Sequence, residues 1–183
     1  MTPRLTLICH AATPALRAAN FPLDEALDEK GLAAARALSG RFGKVARVFV
    51  SPALRARQTA EAMGLDAEAR DELRECDYGR WAGLGFEAVA GAEPQALAAW
   101  ASDPDACPHG GESVADLIRR VGAWLDGQTF EGHTLAVIHA SVVRAAIVHA
   151  LGAGGRAFWR IEAGPLSVTD LRPSSRGWSL RLG

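Results

Sequence analysis

The chain has 183 residues, 49% of them hydrophobic and 22% charged, with a formal net charge of −1. That length suits a single domain, residues 1–183, with a substantial core, and the balanced charge gives no reason to expect nucleic acid or an anionic membrane as partner. Three scattered cysteines (Cys9, Cys76 and Cys107), with no C-x-x-C pair and no metal-like spacing, point to a reducing cytoplasm rather than a disulfide framework or a metal site. The apolar stretch at the amino terminus is too short for a signal peptide, and nothing later reaches membrane-spanning length. Positive charge is carried almost wholly by arginine, since the lysines are Lys30 and Lys44 alone.

In chain order, the apolar, partly β-branched run Arg4–Cys9 predicts a buried strand. "DEKGLAAARALSGRF" predicts a helix capped by Asp28, with Leu32, Ala35, Leu38 and Phe42 on one face. "VARVFVS" predicts a second buried strand, running into the helix "PALRARQTAEAMG" with Pro52 in its first turn and Gly64 as its stop. A short strand is expected within "AEARDELREC". Residues 77–111 are richer in Gly and Pro and predict an insertion over the sheet, with helical pieces near Phe86–Ala90 and Pro94–Trp100. "ESVADLIRRVGAWLDGQ" predicts an amphipathic helix, "HTLAVIHA" a third strong strand and "SVVRAAIVHALG" the helix after it. Two short strands, near Ser167–Leu171 and Trp178–Leu182, close the chain. Strands alternating with helices imply a three-layer α/β/α sandwich with a largely parallel central sheet.

In such sheets ligands bind beyond the carboxyl ends of the parallel strands. The first strand ends at Cys9-His10, the second at Ser51 just before Arg55 and Arg57, and the third at His139. If the strands are neighbours, two histidines and at least one arginine converge. Arginine matches the charge and fork geometry of a phosphate, and histidine can act as nucleophile or acid/base. Singly, each histidine reads as a structural residue at a strand end; together, each followed by an alanine (Ala11, Ala140), they read as a site.

Five blocks in order then resemble the histidine phosphatase superfamily, with its phosphoglycerate mutase-like fold: "CHAAT", "SPALRARQTAEAMG", "LRECDYGRWAG", "GGES" at Gly110–Ser113, and "VIHASVVRAAI". The resemblance implies that His10 takes the phosphoryl group, that Arg55 clamps it, that His139 stabilises its charge and that Glu75 gives a proton to the leaving oxygen. It implies no metal and no cofactor. Glu112, in the "GGES" turn, matches a residue that more often supports the pocket. Thr13, Arg17 and Ala140 are the expected substrate-binding positions.

Three departures stand out. Cys9 replaces the arginine that precedes the nucleophile in the family, and Ala11 and Ala140 replace glycines that allow close approach or positive φ. Loss of one preorganised donor costs roughly 10²–10³ in rate, so a substitute cation is expected, with Arg17 first and Arg144 and Arg57 as alternatives. A cysteine-dependent phosphatase is excluded because C-x5-R is absent: the sixth residue after Cys9 is Ala15, and after Cys76 it is Ala82. His109 is expected on a surface loop, with the pocket mouth as the alternative; His133 and His149 are expected to be structural or solvated, and the tryptophans to pack. The insertion is too short for a glycolytic mutase. Two functions remain: a phosphomonoester phosphatase acting on a phosphorylated small molecule, or a barely active relative that binds a phospho-ligand or serves as a scaffold. Either is compatible with a homodimer.

Overall fold

Alternate residues of the central strands bury against opposite helical layers, which forces the sandwich. A computed structural model describes residues 3–175 and 177–181. The strands are β1 (Arg4–Cys9), β2 (Arg47–Val50), β3 (Glu68–Ala69), β4 (His133–Ile138), β5 (Val168–Ser174) and β6 (Gly177–Arg181). The helices are α1 (Pro14–Arg17), α2 (Glu29–Arg36), α3 (Leu54–Ala62), α4 (Phe86–Ala92), α5 (Pro94–Ser102), α6 (Val114–Asp126) and α7 (Ala140–Ala150). The sheet order is β3-β2-β4-β1-β5-β6; β1 to β4 run parallel, and β5 and β6 run antiparallel to their neighbours.

On one face, Leu5, Leu7, Phe49, Ala136 and Ile138 pack against α6 and α7 through Leu117, Val121, Leu125, Val142 and Ala146. On the other, Ile8, Val50, Leu135 and Val137 pack against α2 and α3 through Ala35, Ala56, Ala60 and Met63. This is the expected three-layer arrangement. The central β4 is buried at every position, as a strand covered on both faces must be.

Several boundaries differ from expectation. Helix α2 stops at Arg36 rather than reaching Phe42, although Asp28 caps it as predicted by accepting from the Gly31 amide. Pro52 lies ahead of α3, whose cap is Ala53; Gly64 follows that helix at φ +74°, as a stop should. The end of the last predicted strand, Leu182, lies outside the described residues. Within the 77–111 segment, Trp81, Val89 and Leu97 form a cluster with Phe21, flanked by Tyr78 and Trp100. Gly79 makes its turn: φ is +48°, and a Cβ there would stand 2.2 Å from the His109 carbonyl oxygen.

Candidate active site

Strand order places the chemistry. Strand β4 lies between β2 and β1, with Ile138 opposite Cys9 and Val137 opposite Val50. The backbone ladder continues one step further, from the His10 amide to Ile138 O at 2.8 Å and from Ser51 to Val137 O at 3.0 Å. His10, His139 and Ser51 therefore leave the sheet side by side. The two imidazoles meet edge-on with centroids 5.2 Å apart.

His10 is buried, and its Nδ1 lies 2.7 Å from the Ala11 carbonyl oxygen. A carbonyl can only accept, so Nδ1 carries the proton and Nε2 keeps its lone pair. Burial lowers the His10 pKa and the Arg55 charge adds to that, against the Ala11 carbonyl. The ring is a neutral base with its remaining lone pair on Nε2.

Arg55, in the first turn of α3, is 2% exposed and fixed by three contacts. Its Nε donates to His10 Nε2 (3.2 Å), Nη1 to the Leu23 carbonyl (2.8 Å) and Nη2 to Glu75 Oε2 (3.1 Å). The strap that carries Leu23 is itself pinned: the Leu54 amide donates to Asp24 and the Leu27 amide to Gln58.

Glu75 receives the Cys76 amide (3.0 Å) and the Ser141 hydroxyl on Oε1. Burial works to raise its carboxyl, but His139, Arg55 and the Ser141 hydroxyl outweigh it and hold the group at about 2. His139 is fully buried, and burial pushes it down to about 3 despite Glu75 alongside. Its Nε2 lies 2.7 Å from Ser51 Oγ. Its Nδ1, 3.2 Å from Glu75 Oε2, makes no hydrogen bond. A carboxylate beside Nδ1 favours the proton there, with Ser51 donating to Nε2.

His10, Arg55 and Glu75 open on a cavity of about 290 Å³ whose walls also include Cys9, Thr13, Tyr78, Ala140, Ser141 and Arg144; His139 and Ser51 lie behind that wall, fully buried. Of the expected substrate-binding positions, Thr13 and Ala140 line the cavity, and Arg17 does not. The Arg17 guanidinium is exposed and paired with Asp28 (Nε–Oδ2 2.9 Å), because the last residue of α1 points it at the cap of α2. Arg57 is exposed on α3. Of the three candidate cations, Arg144 alone lines the cavity. Neither alanine substitution distorts its loop: among the described residues, the non-glycine positions with positive φ are Ala19 and Leu166. Ala140 is the first residue of α7, where a helical backbone needs no glycine.

Glu112 supports the site from outside. Arg120 grips it through Nε (2.8 Å) and Nη2 (2.6 Å) and also holds the Glu72 and Arg74 carbonyls, fixing the segment that carries Glu75. His109 is neither on the surface nor at the cavity mouth; it is buried 5.0 Å from the Trp81 ring centroid. The Cys9 thiol, pushed up to about 12 chiefly by burial, is not a thiolate. Sequence reasoning left Ser51 as a strand end and did not single out Ser141 or Tyr78; the motif Ser51-Pro52 was the available signal for the first. One ligand atom from each of His10, Glu75 and His139 lies within 4.8 Å of the others. Arg55 donates to two of these three groups, placing a fixed positive charge where a metal cation would need their lone pairs.

A buried arginine bonded to His10 and Glu75 at the carboxyl edge of a mostly parallel sheet places this chain among α/β proteins with a cationic strand-end site. The chain belongs to the histidine phosphatase superfamily (branch 1), whose family model matches residues 5–182. It is 34% identical over 146 residues to a bifunctional protein of Mycobacterium tuberculosis, covering 75% of this chain and 40% of that one. It is 36% identical over 104 residues to the glucosyl-3-phosphoglycerate phosphatase of M. tuberculosis, covering 54% and 47%. The chain thus spans less than half the length of these curated relatives. Among solved structures, mycobacterial glucosyl-3-phosphoglycerate phosphatase complexed with VO3 superposes with a TM-score of 0.88 at 27% identity, covering 99% of this chain and 98% of that one.

Proposed function

We propose that this protein is a metal-independent phosphomonoester phosphatase that works through a phosphohistidine on His10. The observation that carries the reading is the His10 tautomer. The Ala11 carbonyl holds the proton on Nδ1, so Nε2 keeps its lone pair and accepts from the Arg55 Nε–H in a ring that lines the cavity.

In the first step the hydrogen bond of the Arg55 Nε–H passes from His10 Nε2 to a phosphoryl oxygen, and the freed Nε2 lone pair attacks phosphorus in line; a P–N bond forms and the ester P–O bond breaks. The electron pair leaves with the alcohol oxygen, which takes a proton held at Glu75. The phosphomonoester enters beside Arg55 as its monoanion and passes its one proton to the Glu75 carboxylate, so the species attacked is the dianion and Glu75 holds the proton that the leaving oxygen needs. In the second step Glu75 takes a proton from water, whose oxygen attacks phosphorus as the P–N bond breaks. Orthophosphate is released and His10 is neutral again. Arg55 stabilises charge on the phosphoryl oxygens, the main demand of phosphoryl transfer, and His139, its Nδ1 turned to Glu75, acts through that carboxylate. The cavity suits a phosphorylated small molecule, and the similarity to glucosyl-3-phosphoglycerate phosphatase supports that substrate class. The three unpaired cysteines fit a cytoplasmic enzyme.

Cys9 favours a second reading, a binding protein with little turnover. Aryl phosphate hydrolysis by wild type, His10→Ala and Cys9→Arg separates the two. Turnover by wild type that is abolished in His10→Ala supports the phosphatase; an inactive wild type with activity gained in Cys9→Arg supports the binding protein.

A further inference from the structure

The cavity holds a second guanidinium that has no partner. Its charged lining groups are Arg55, Arg144, Glu75 and Glu25. Arg55 is already paired with Glu75, and Glu25 accepts from the Thr13 hydroxyl and the Ala15 amide. Arg144, in the second turn of α7, is half-buried with its guanidinium carbon 5.7 Å from the centre of the Phe158 ring. Among the described residues it has no ion pair and no hydrogen bond, and its buried Nε is unpaired. A partly desolvated cation without a counter-ion is costly unless an anion arrives.

A phosphomonoester brings nearly two negative charges. The half-neutralised Arg55 cannot balance them, and Arg144 is the remaining cation on the wall. Cys9, on the same wall beside the nucleophile, is small and uncharged, so no side chain at that position competes for the phosphoryl oxygens. The field of Arg144 already acts on the Cys9 thiol, opposing the effect of burial. We propose that Arg144 binds the transferring phosphoryl group itself, opposite Arg55, and supplies the cation that Cys9 does not. The aromatic face of Phe158 and the helical backbone of α7 hold the guanidinium ready. This inference rests on the phosphatase reading for its kinetic consequence, though not for its binding consequence.

The test uses the full chain, p-nitrophenyl phosphate as a substrate without a second anion, and inorganic phosphate as a probe of binding. Arg144→Gln is expected to lower kcat/KM about 10²–10³-fold and to weaken phosphate binding by calorimetry at least tenfold, with an unchanged melting temperature without phosphate. Arg144→Lys is expected to keep an intermediate affinity, and it serves as the variant of record if Arg144→Gln is unfolded. Phosphate affinity within twofold of wild type in both variants overturns the proposal. So does a loss seen only with substrates that carry a second negative group, which would assign Arg144 to the leaving group. His10→Ala tests the parent reading separately: turnover surviving in that variant defeats the phosphohistidine mechanism and leaves the Arg144 binding result standing.

Discussion

Replacing Glu75 by glutamine separates its two jobs, as counter-charge and as acid. The carboxylate takes Arg55 Nη2 at 3.1 Å, the Cys76 amide at 3.0 Å and the Ser141 hydroxyl, with His139 Nδ1 3.2 Å away. A glutamine can present its one carbonyl oxygen to either pair of donors, and its NH2 then faces the other. Breaking a buried ion pair costs about 3–5 kcal/mol. Arg55 keeps the Leu23 carbonyl and has Asp24 at 4.0 Å, so the expected loss in denaturant unfolding is near the lower end, about 3 kcal/mol. Removing a general acid costs about 10²–10⁴ in rate where the leaving group needs the proton. An alkyl phosphate should lose that factor in kcat/KM. An aryl phosphate, whose leaving oxygen departs unprotonated, should lose less than about tenfold. Equal losses on both substrates would refute the acid role and leave Glu75 as a positioning residue for Arg55.

Arg55→Lys keeps the charge but loses the fork that reaches His10, Leu23 and Glu75 together; kcat should fall about 10²–10³-fold, measured on the aryl phosphate. Ser51→Ala removes the hydroxyl that donates to His139 Nε2, and a lost hydrogen bond of about 1.4 kcal/mol predicts a tenfold lower kcat at nearly constant KM. Stability should fall in acid. His139 is depressed to about 3 from 6.5, so the unfolded chain takes that proton first and stability begins to drop below about pH 6.5. Glu75 is depressed from 4.5 to about 2, so its contribution is complete above 4.5 and is lost as pH falls toward 2. The two adjoining groups titrate as a unit, and urea unfolding at pH 7, 5 and 3.5 should show the decline, with the lower part flattened in Glu75→Gln. Gly79→Ala, which would place a methyl 2.2 Å from His109 O at φ +48°, should lower stability by more than about 1 kcal/mol in the same assay.

Strand periodicity made β1, β2 and β4 legible, because buried parallel strands read as continuous apolar runs and their ends carry the polar residues. The order β2-β4-β1 was not written in any one segment, yet it is what turns His10, His139 and Arg55 from three separate residues into a site. The end of α2 was misjudged since its apolar spacing continues through Leu38 and Phe42 after the backbone has left the helix. The place of Arg17 was not legible for a similar reason. Arg17 is close to His10 in sequence, but local pairing with Asp28 turns it outward, whereas Arg144 reaches the cavity from a helix far along the chain. Side-chain direction depends on tertiary packing, and spacing alone does not report it. His109 went astray likewise, drawn under Trp81 by the turn at Gly79.

The proposed mechanism turns on a covalent intermediate on His10. Rapid chemical quench of the full chain turning over a radiolabelled phosphomonoester tests it directly. The predicted result is protein-bound phosphate that is acid-labile and alkali-stable, maps to His10, forms and decays at rates that contain kcat, and is absent in His10→Ala. Steady turnover with no trapped label, or label that persists in His10→Ala, would contradict it.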